Sequence, residues 1–108
     1  MNEKKNTHWI FDPDVACRVG VEEAIMYNNI KFWCDLNKKN KSEKHLRDGR
    51  YWTYNSVTQF CEIFPFWSHG QIKRIVKNLV DKGFIIKGQF NRMRYDKTSW
   101  YTYNNTTT

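Results

Sequence analysis

The sequence predicts an α+β fold, mostly helical, with about three to four helices and a small antiparallel sheet. Three observations predict it. A helical pattern at Val57, Phe60, Cys61 and Phe64 is broken by Pro65 and restarts after Ser68. The restarted pattern, Ile72, Ile75, Val76, Leu79 and Val80, follows the i, i+3, i+4, i+7, i+8 spacing of an amphipathic helix. Two strand-like runs, Phe84 to Lys87 and Trp100 to Tyr103, then flank a basic loop. Helix, tight turn, helix, strand, loop, strand is the order of a winged helix-turn-helix, in which the sheet forms the wing.

The elements follow in order. Met1 to His8 is a polar start, and Trp9-Ile10-Phe11 is a short apolar anchor. Asp12-Pro13 supplies a cap and a first-turn proline, and Gly20 the matching stop, which predicts a short helix over 13–18. A longer helix is expected over 21–38, with Glu22 and Glu23 at its positive end and Lys38 and Lys39 at its negative end. Its apolar residues fall on two sides, Val21, Ile25, Phe32 and Leu36 on one and Met26, Ile30 and Trp33 on the other. Such a helix is expected to be buried twice: by the core on one side, and by the N-terminal segment or a second subunit on the other.

Residues 37–50 are polar and charged, with a turn signal at Asp48-Gly49, and read as a surface loop acting as a solvated connector; an added DNA-backbone contact is the alternative. Tyr51 to Tyr54 has strand-forming composition, and Asn55 is expected to cap the next helix. Ser68 and Gln71 form an S-x-x-Q capping box for a helix over 69–82, with Gly83 at its C-terminal end. One domain over 1–108 is expected: an arm and short helix over 1–19, a core over 20–103 and a polar tail over 104–108.

Charge and composition narrow the function. The chain of 108 residues has a net charge of +7, and its pI is near 9.4. No apolar run reaches the ~18 residues that span a bilayer, so the excess points to a polyanion, nucleic acid before membrane. Cys17, Cys34 and Cys61 are odd in number and widely spaced, which suits reduced thiols in a cytoplasm. No metal-ligand spacing links them to His8, His45 or His69, and no nucleophile, phosphate-loop or zinc-protease motif occurs. The expectation is a protein that is not an enzyme and needs no metal or cofactor.

The outer face of the 69–82 helix carries Gly70, Arg74, Lys77 and Asp81, flanked by Gln71, Lys73 and Asn78. Arg and Lys reach phosphates or guanine edges, and Gln and Asn can pair with adenine. With Ser68 and His69 at the helix start and Arg92, Arg94 and Lys97 on the wing, these are the expected contacts to double-stranded DNA. Lys73, Lys77, Arg92 and Lys97 are assigned to phosphates, and Gln71, Arg74 and Asn78 to bases. Aromatics are 17% of the residues. Interleaved with basic residues they could stack single-stranded bases, but rings beside a small sheet fit a core better.

The segments Phe64-Pro65-Phe66-Trp67-Ser68 and Asp96-Lys97-Thr98-Ser99-Trp100-Tyr101 are the most specific part of a wider likeness, covering about 20–103. It includes Tyr51 to Ser56, Ile72-Lys73-Arg74 and Lys82 to Gly88. The chain resembles the N-terminal winged-helix domain of DnaD-like replication initiators and replisome organisers of phages and plasmids from low-GC bacteria. The resemblance implies binding to an origin and recruitment of replication proteins. It carries the recognition-helix role to Ser68 through Asn78 and the wing role to Gln89 through Lys97. Members of that family continue into a C-terminal domain that engages the helicase loader. This sequence ends at Thr108, which leaves open a truncated initiator or a small free-standing protein.

The leading expectation is therefore sequence-specific duplex binding in replication initiation. One alternative is a small transcriptional repressor, a homodimer through the 21–38 helix. Another is a protein-binding winged helix that inhibits a host defence or other nucleic-acid enzyme.

Overall fold

Local capping signals set most of the helix boundaries. The computed structural model describes residues 11–91 and 98–104. Asp12 Oδ1 accepts from the Asp14 amide at 2.9 Å, and Pro13 opens helix α1, Pro13–Val19. Gly20, at φ 117°, separates it from α2, Val21–Lys39. The expected ends of these two helices differ from the observed ones by a single residue.

Among the described residues of the single chain, one apolar side of α2 is covered and the other is open. Its covered face is Glu23, Ala24, Met26, Tyr27, Ile30 and Cys34. Val21 is 53%, Phe32 57% and Trp33 41% exposed. Ile30 and Phe32 lie two residues apart, roughly 160° around the helix, so the elements that cover the first leave the second open. Trp33 sits on the flank, its ring edge-on to Phe32.

The polar segment after α2 is organised, contrary to the expected plain loop. A 3-10 turn, Glu43–His45, leads into strand β1, Leu46–Arg47, and strand β2, Arg50–Tyr51. The two pair antiparallel around Asp48 and Gly49, both at positive φ. That is the backbone hand a two-residue hairpin turn needs, and Asp-Gly supplies it. Each strand has two residues, too few for any hydrophobic alternation to register in the sequence.

Strand β3, Thr53–Asn55, follows at once, and α3, Val57–Ile63, begins after it. Asn55 ends the strand and is not the helix cap. Ser56 is: its Oγ accepts from the Gln59 amide, and its own amide donates to Gln59 Oε1 at 2.8 Å. Ser56 and Gln59 have the three-residue spacing of a capping box, which outcompetes a lone Asn. At the Pro65 corner, Phe64 and Trp67 are buried with ring centroids 4.8 Å apart. Phe66 is 67% exposed, so the corner is set by Phe64 and Trp67.

Helix α4, His69–Asp81, ends at Lys82, with Gly83 just beyond at φ 81°. Strands β4, Ile85–Gly88, and β5, Ser99–Tyr103, complete an antiparallel sheet of order β3-β5-β4. The register pairs Tyr54 with Trp100 and Thr53 with Tyr101. Neighbouring residues of a strand point to opposite faces. Tyr101 therefore enters the core against Phe60, while Trp100 looks away from it.

That second face is covered by the hairpin. Arg47 lies over the Trp100 ring, 5.0 Å from its centroid, and His45 stacks on Tyr54. Trp52 Nε1 donates to the Arg47 carbonyl at 3.0 Å, and Thr102 Oγ1 donates to the Tyr51 carbonyl at 2.9 Å. The described residues thus form a mostly helical α+β domain of four α-helices and small antiparallel sheets, with its main core between the helices and the inner sheet face.

Candidate nucleic-acid interface

Helix α4 stands where it does because one side is apolar and its start is closed. Ile72, Ile75 and Leu79 are fully buried, and Val76 nearly so. Ser68 Oγ accepts from the Gln71 amide at 3.1 Å, and Gln71 Oε1 accepts from the Ser68 amide at 2.9 Å. The predicted capping box is present. It also occupies Ser68 and Gln71 with each other rather than with a ligand.

The polar side of α4 divides into two. Arg74 Nη2 meets Glu22 Oε1 at 2.9 Å, and Asn78 Nδ2 donates to Glu23 Oε2 at 2.8 Å. Both residues face the acidic start of α2. Glu22 and Glu23 suit the helix dipole, as expected, but they also hold two of the three side chains assigned to base reading. Glu23 is only 5% exposed, so its bond to Asn78 belongs to the packing of α2 on α4. The Arg74–Glu22 pair is open to solvent, with side chains 53% and 38% exposed.

The other edge of α4 turns toward the sheet. Lys73 and Lys77 line a groove of about 590 Å³ with Lys87 of β4. Val57, Ile72, Val76 and Tyr101 lie along its apolar wall, and Asn55, Ser56 and Ser99 add polar groups. Lys77 bonds Asp81 at 2.6 Å, one helical turn on, with both side chains mostly exposed. Such a pair is worth about 0.3–0.5 kcal/mol, too little to keep Lys77 from a stronger anion. Lys73 has no ion-pair partner among the described residues.

The structure therefore brings Lys73 and Lys77 together, joins Lys87 to them, and turns Arg74 and Asn78 away. His69 is exposed in the first turn of α4, beside Gly70. Arg92, Arg94 and Lys97 lie outside the described residues. Lys87 read only as a strand residue in the sequence. Its place at the groove follows from strand register, which pairs it with Tyr101.

The remaining titratable groups point to structural work. Burial pushes the Cys34 thiol up to about 11, which leaves it protonated at neutral pH and a poor nucleophile. The Tyr103 hydroxyl donates to Asp35 Oδ1 at 2.6 Å. That bond, with burial, raises Tyr103 to about 12. For Asp35 burial acts upward, but the bonds from Tyr103 and Lys31 outweigh it and the carboxyl is lowered. Among the described residues, no group of three His, Cys, Asp or Glu side chains could hold a metal ion, and no helix is long and apolar enough to cross a membrane. In comparisons with known proteins the chain matches no family model, no curated protein and no solved structure.

Proposed function

We propose that this chain is a winged helix-turn-helix that binds double-stranded DNA in a sequence-dependent way, with α4 as the element presented to the duplex. The observation that carries the reading is the convergence of Lys73, Lys77 and Lys87 on one groove beside α4. Three ammonium groups on two elements give phosphates a row of contacts along the helix edge, and such contacts set position and affinity rather than sequence. The order of α3, corner, α4, β4 and β5 supports the same reading. Base discrimination then falls to His69 and to Arg74, which must exchange Glu22 for a base edge. A role in replication initiation on a phage or plasmid rests on the resemblance of the Phe64 to Ser68 and Asp96 to Tyr101 segments.

The test is fluorescence anisotropy with labelled duplexes across a salt series. The triple variant Lys73→Gln, Lys77→Gln, Lys87→Gln should lower affinity for every sequence. It should flatten the plot of log K against log salt by ~0.9 for each phosphate that is no longer neutralised. Unchanged affinity and slope would sink the groove as the DNA contact. Absence of wild-type duplex binding at low salt would favour a protein partner instead.

A repressor reading is favoured by one further observation, the apolar surface left open beside α2. Phe32 and Phe66 are 57% and 67% exposed, and Ile25 and Ile63 lie in the same shallow groove. Val21 and Trp33 of the same helix are exposed as well, at 53% and 41%. The occupant is a second copy. Sedimentation should show a dimer that Phe32→Lys dissociates; a strict monomer, with and without DNA, excludes the repressor.

A further inference from the structure

The largest unpaired positive charge among the described residues runs from the last turn of α2 through the hairpin, not along α4. Residues 38–50 contain Lys38, Lys39, Lys41, Lys44, Arg47 and Arg50 against Glu43 and Asp48, a formal +4 of the chain's +7. All six cations are exposed except Arg47, which is half-buried. None of them is in a side-chain ion pair among the described residues, whereas Arg74 and Lys77 of α4 both are.

The backbone that carries this charge is held in place, and so is the Arg47 side chain. The hairpin is bonded to the sheet through Trp52 and Thr102, and Asn37 Nδ2 donates to the Trp52 carbonyl at 2.8 Å. Arg47 is fixed over Trp100 and uses one terminal nitrogen, Nη1, on the Leu46 and Glu43 carbonyls. Its other N–H groups are left for an anion, in the rigid fork that suits phosphate. His45, between Lys44 and Arg47, has its pKa lowered by burial and then by those two cations, which fits a positive local field. A connector with no task would have no reason to fix so much like charge in one place.

We infer that the 38–50 segment, from the end of α2 through the hairpin, is a second phosphate-backbone contact surface, so that one domain holds two duplex segments at once. Its Arg47 lies on the Trp100 face of the sheet and its Lys38 and Arg50 lie beside Thr102 and Tyr103, while the Lys73, Lys77 and Lys87 groove lies on the Tyr101 side, and successive strand residues point opposite ways. Duplex DNA has a persistence length of ~50 nm, so one short straight duplex does not reach both. A membrane surface is the weaker fit. Leu46 is the segment's one large hydrophobe, at 38% exposed, and interfacial binding needs an apolar face to insert. The inference rests on the duplex-binding reading of the groove and adds a second site to it.

The experiment uses the full chain with two short duplexes, one carrying a donor dye and one an acceptor. Energy transfer reports bridging, and anisotropy of a single duplex reports binding. The hairpin variant is Lys38→Gln, Lys39→Gln, Lys41→Gln, Lys44→Gln, Arg50→Gln, with Arg47 kept for its packing and folding checked by circular dichroism. Bridging should fall at least tenfold while single-duplex binding persists with a flatter salt slope. The Lys73, Lys77 and Lys87 triple variant should also lose bridging, its single-duplex binding weakened to what the 38–50 segment alone supplies. Wild-type bridging in the hairpin variant, together with abolished binding in the groove variant, would overturn the second site and leave the groove reading standing. Abolished binding in the hairpin variant with an unaffected groove variant would overturn both. Hairpin-dependent capture by phosphatidylserine vesicles, with no hairpin effect on duplexes, would transfer the surface to membranes and end the inference.

Discussion

Asn78 donates from Nδ2 to Glu23 Oε2 at 2.8 Å, across 55 residues of chain, and the carboxylate it meets is 5% exposed. A residue whose type and position suggest base reading thus completes the contact between α2 and α4. Asn78→Ala leaves a buried carboxylate oxygen without this donor. The expected loss is about 1–3 kcal/mol of stability, a fall of several degrees in Tm for a domain of this size. Sequence preference, measured below the new Tm, should not change. An Asn78→Ala protein of wild-type stability with relaxed preference would return Asn78 to the DNA.

Arg74 and Glu22 form a different kind of contact. Their ion pair is solvent-exposed, so Arg74→Ala should cost less than about 1 kcal/mol of stability. Its effect should appear in binding. On the proposed duplex-binding reading Glu22 competes with DNA for the guanidinium, so Glu22→Gln should raise duplex affinity several-fold at low salt. The gain should shrink in an Arg74→Ala background. A distant control, Glu62→Gln, removes the same charge from an exposed site. Equal gains from both acids, with no coupling to Arg74, would mean that only net charge matters.

The parts of this fold legible in the sequence are those written within a few residues. The Ser68 and Gln71 box, the apolar stripe of α4 and the Pro65 corner depend on near neighbours, and each is where its spacing puts it. The Ser56 and Gln59 box is equally local, but Asn55 beside it offers a competing cap. What the sequence hides is which neighbour covers a face. Two apolar stripes on α2 look alike by periodicity, and only the placement of α1, α4 and the sheet decides that Ile30 is enclosed and Phe32 is not. Glu22 and Glu23 carry the same dipole signal, yet one is half-exposed and the other buried by its partner. Lys87 reaches the groove through strand register, and the hairpin's two-residue strands are too short to announce themselves.

His45 makes stability depend on pH. Burial, then Lys44 and Arg47, lower its pKa below the ordinary 6.5. The unfolded chain therefore takes up a proton before the folded one does. The stability involved is present above about pH 6.5 and is lost as pH falls through the folded value. Thermal melts should show Tm falling between pH 7.5 and 5.5. His45→Phe keeps a ring against Tyr54 and should flatten that part of the profile. The same slope in His45→Phe as in the wild type would assign the effect to other groups.

Gly20 and Gly83 both sit at positive φ, 117° and 81°, and they separate two costs of an added side chain. At Gly83 a Cβ would meet nothing within 4 Å, so Gly83→Ala bears only the backbone cost, about 1–2 kcal/mol. At Gly20 the Cβ would stand 2.6 Å from Glu23 Oε1. Glu23 would have to move, and it is the acceptor for Asn78. Gly20→Ala should therefore destabilise more than Gly83→Ala by at least ~1 kcal/mol, the cost of disturbing a buried carboxylate's hydrogen bond. The part of the excess that comes from the Glu23–Asn78 bond should be lost when Asn78→Ala has already removed it, because neighbours that share one interaction do not add. Chemical denaturation of the single and double variants measures this directly. Full additivity of Gly20→Ala with Asn78→Ala would show that the α1–α2 junction and the α2–α4 contact are independent.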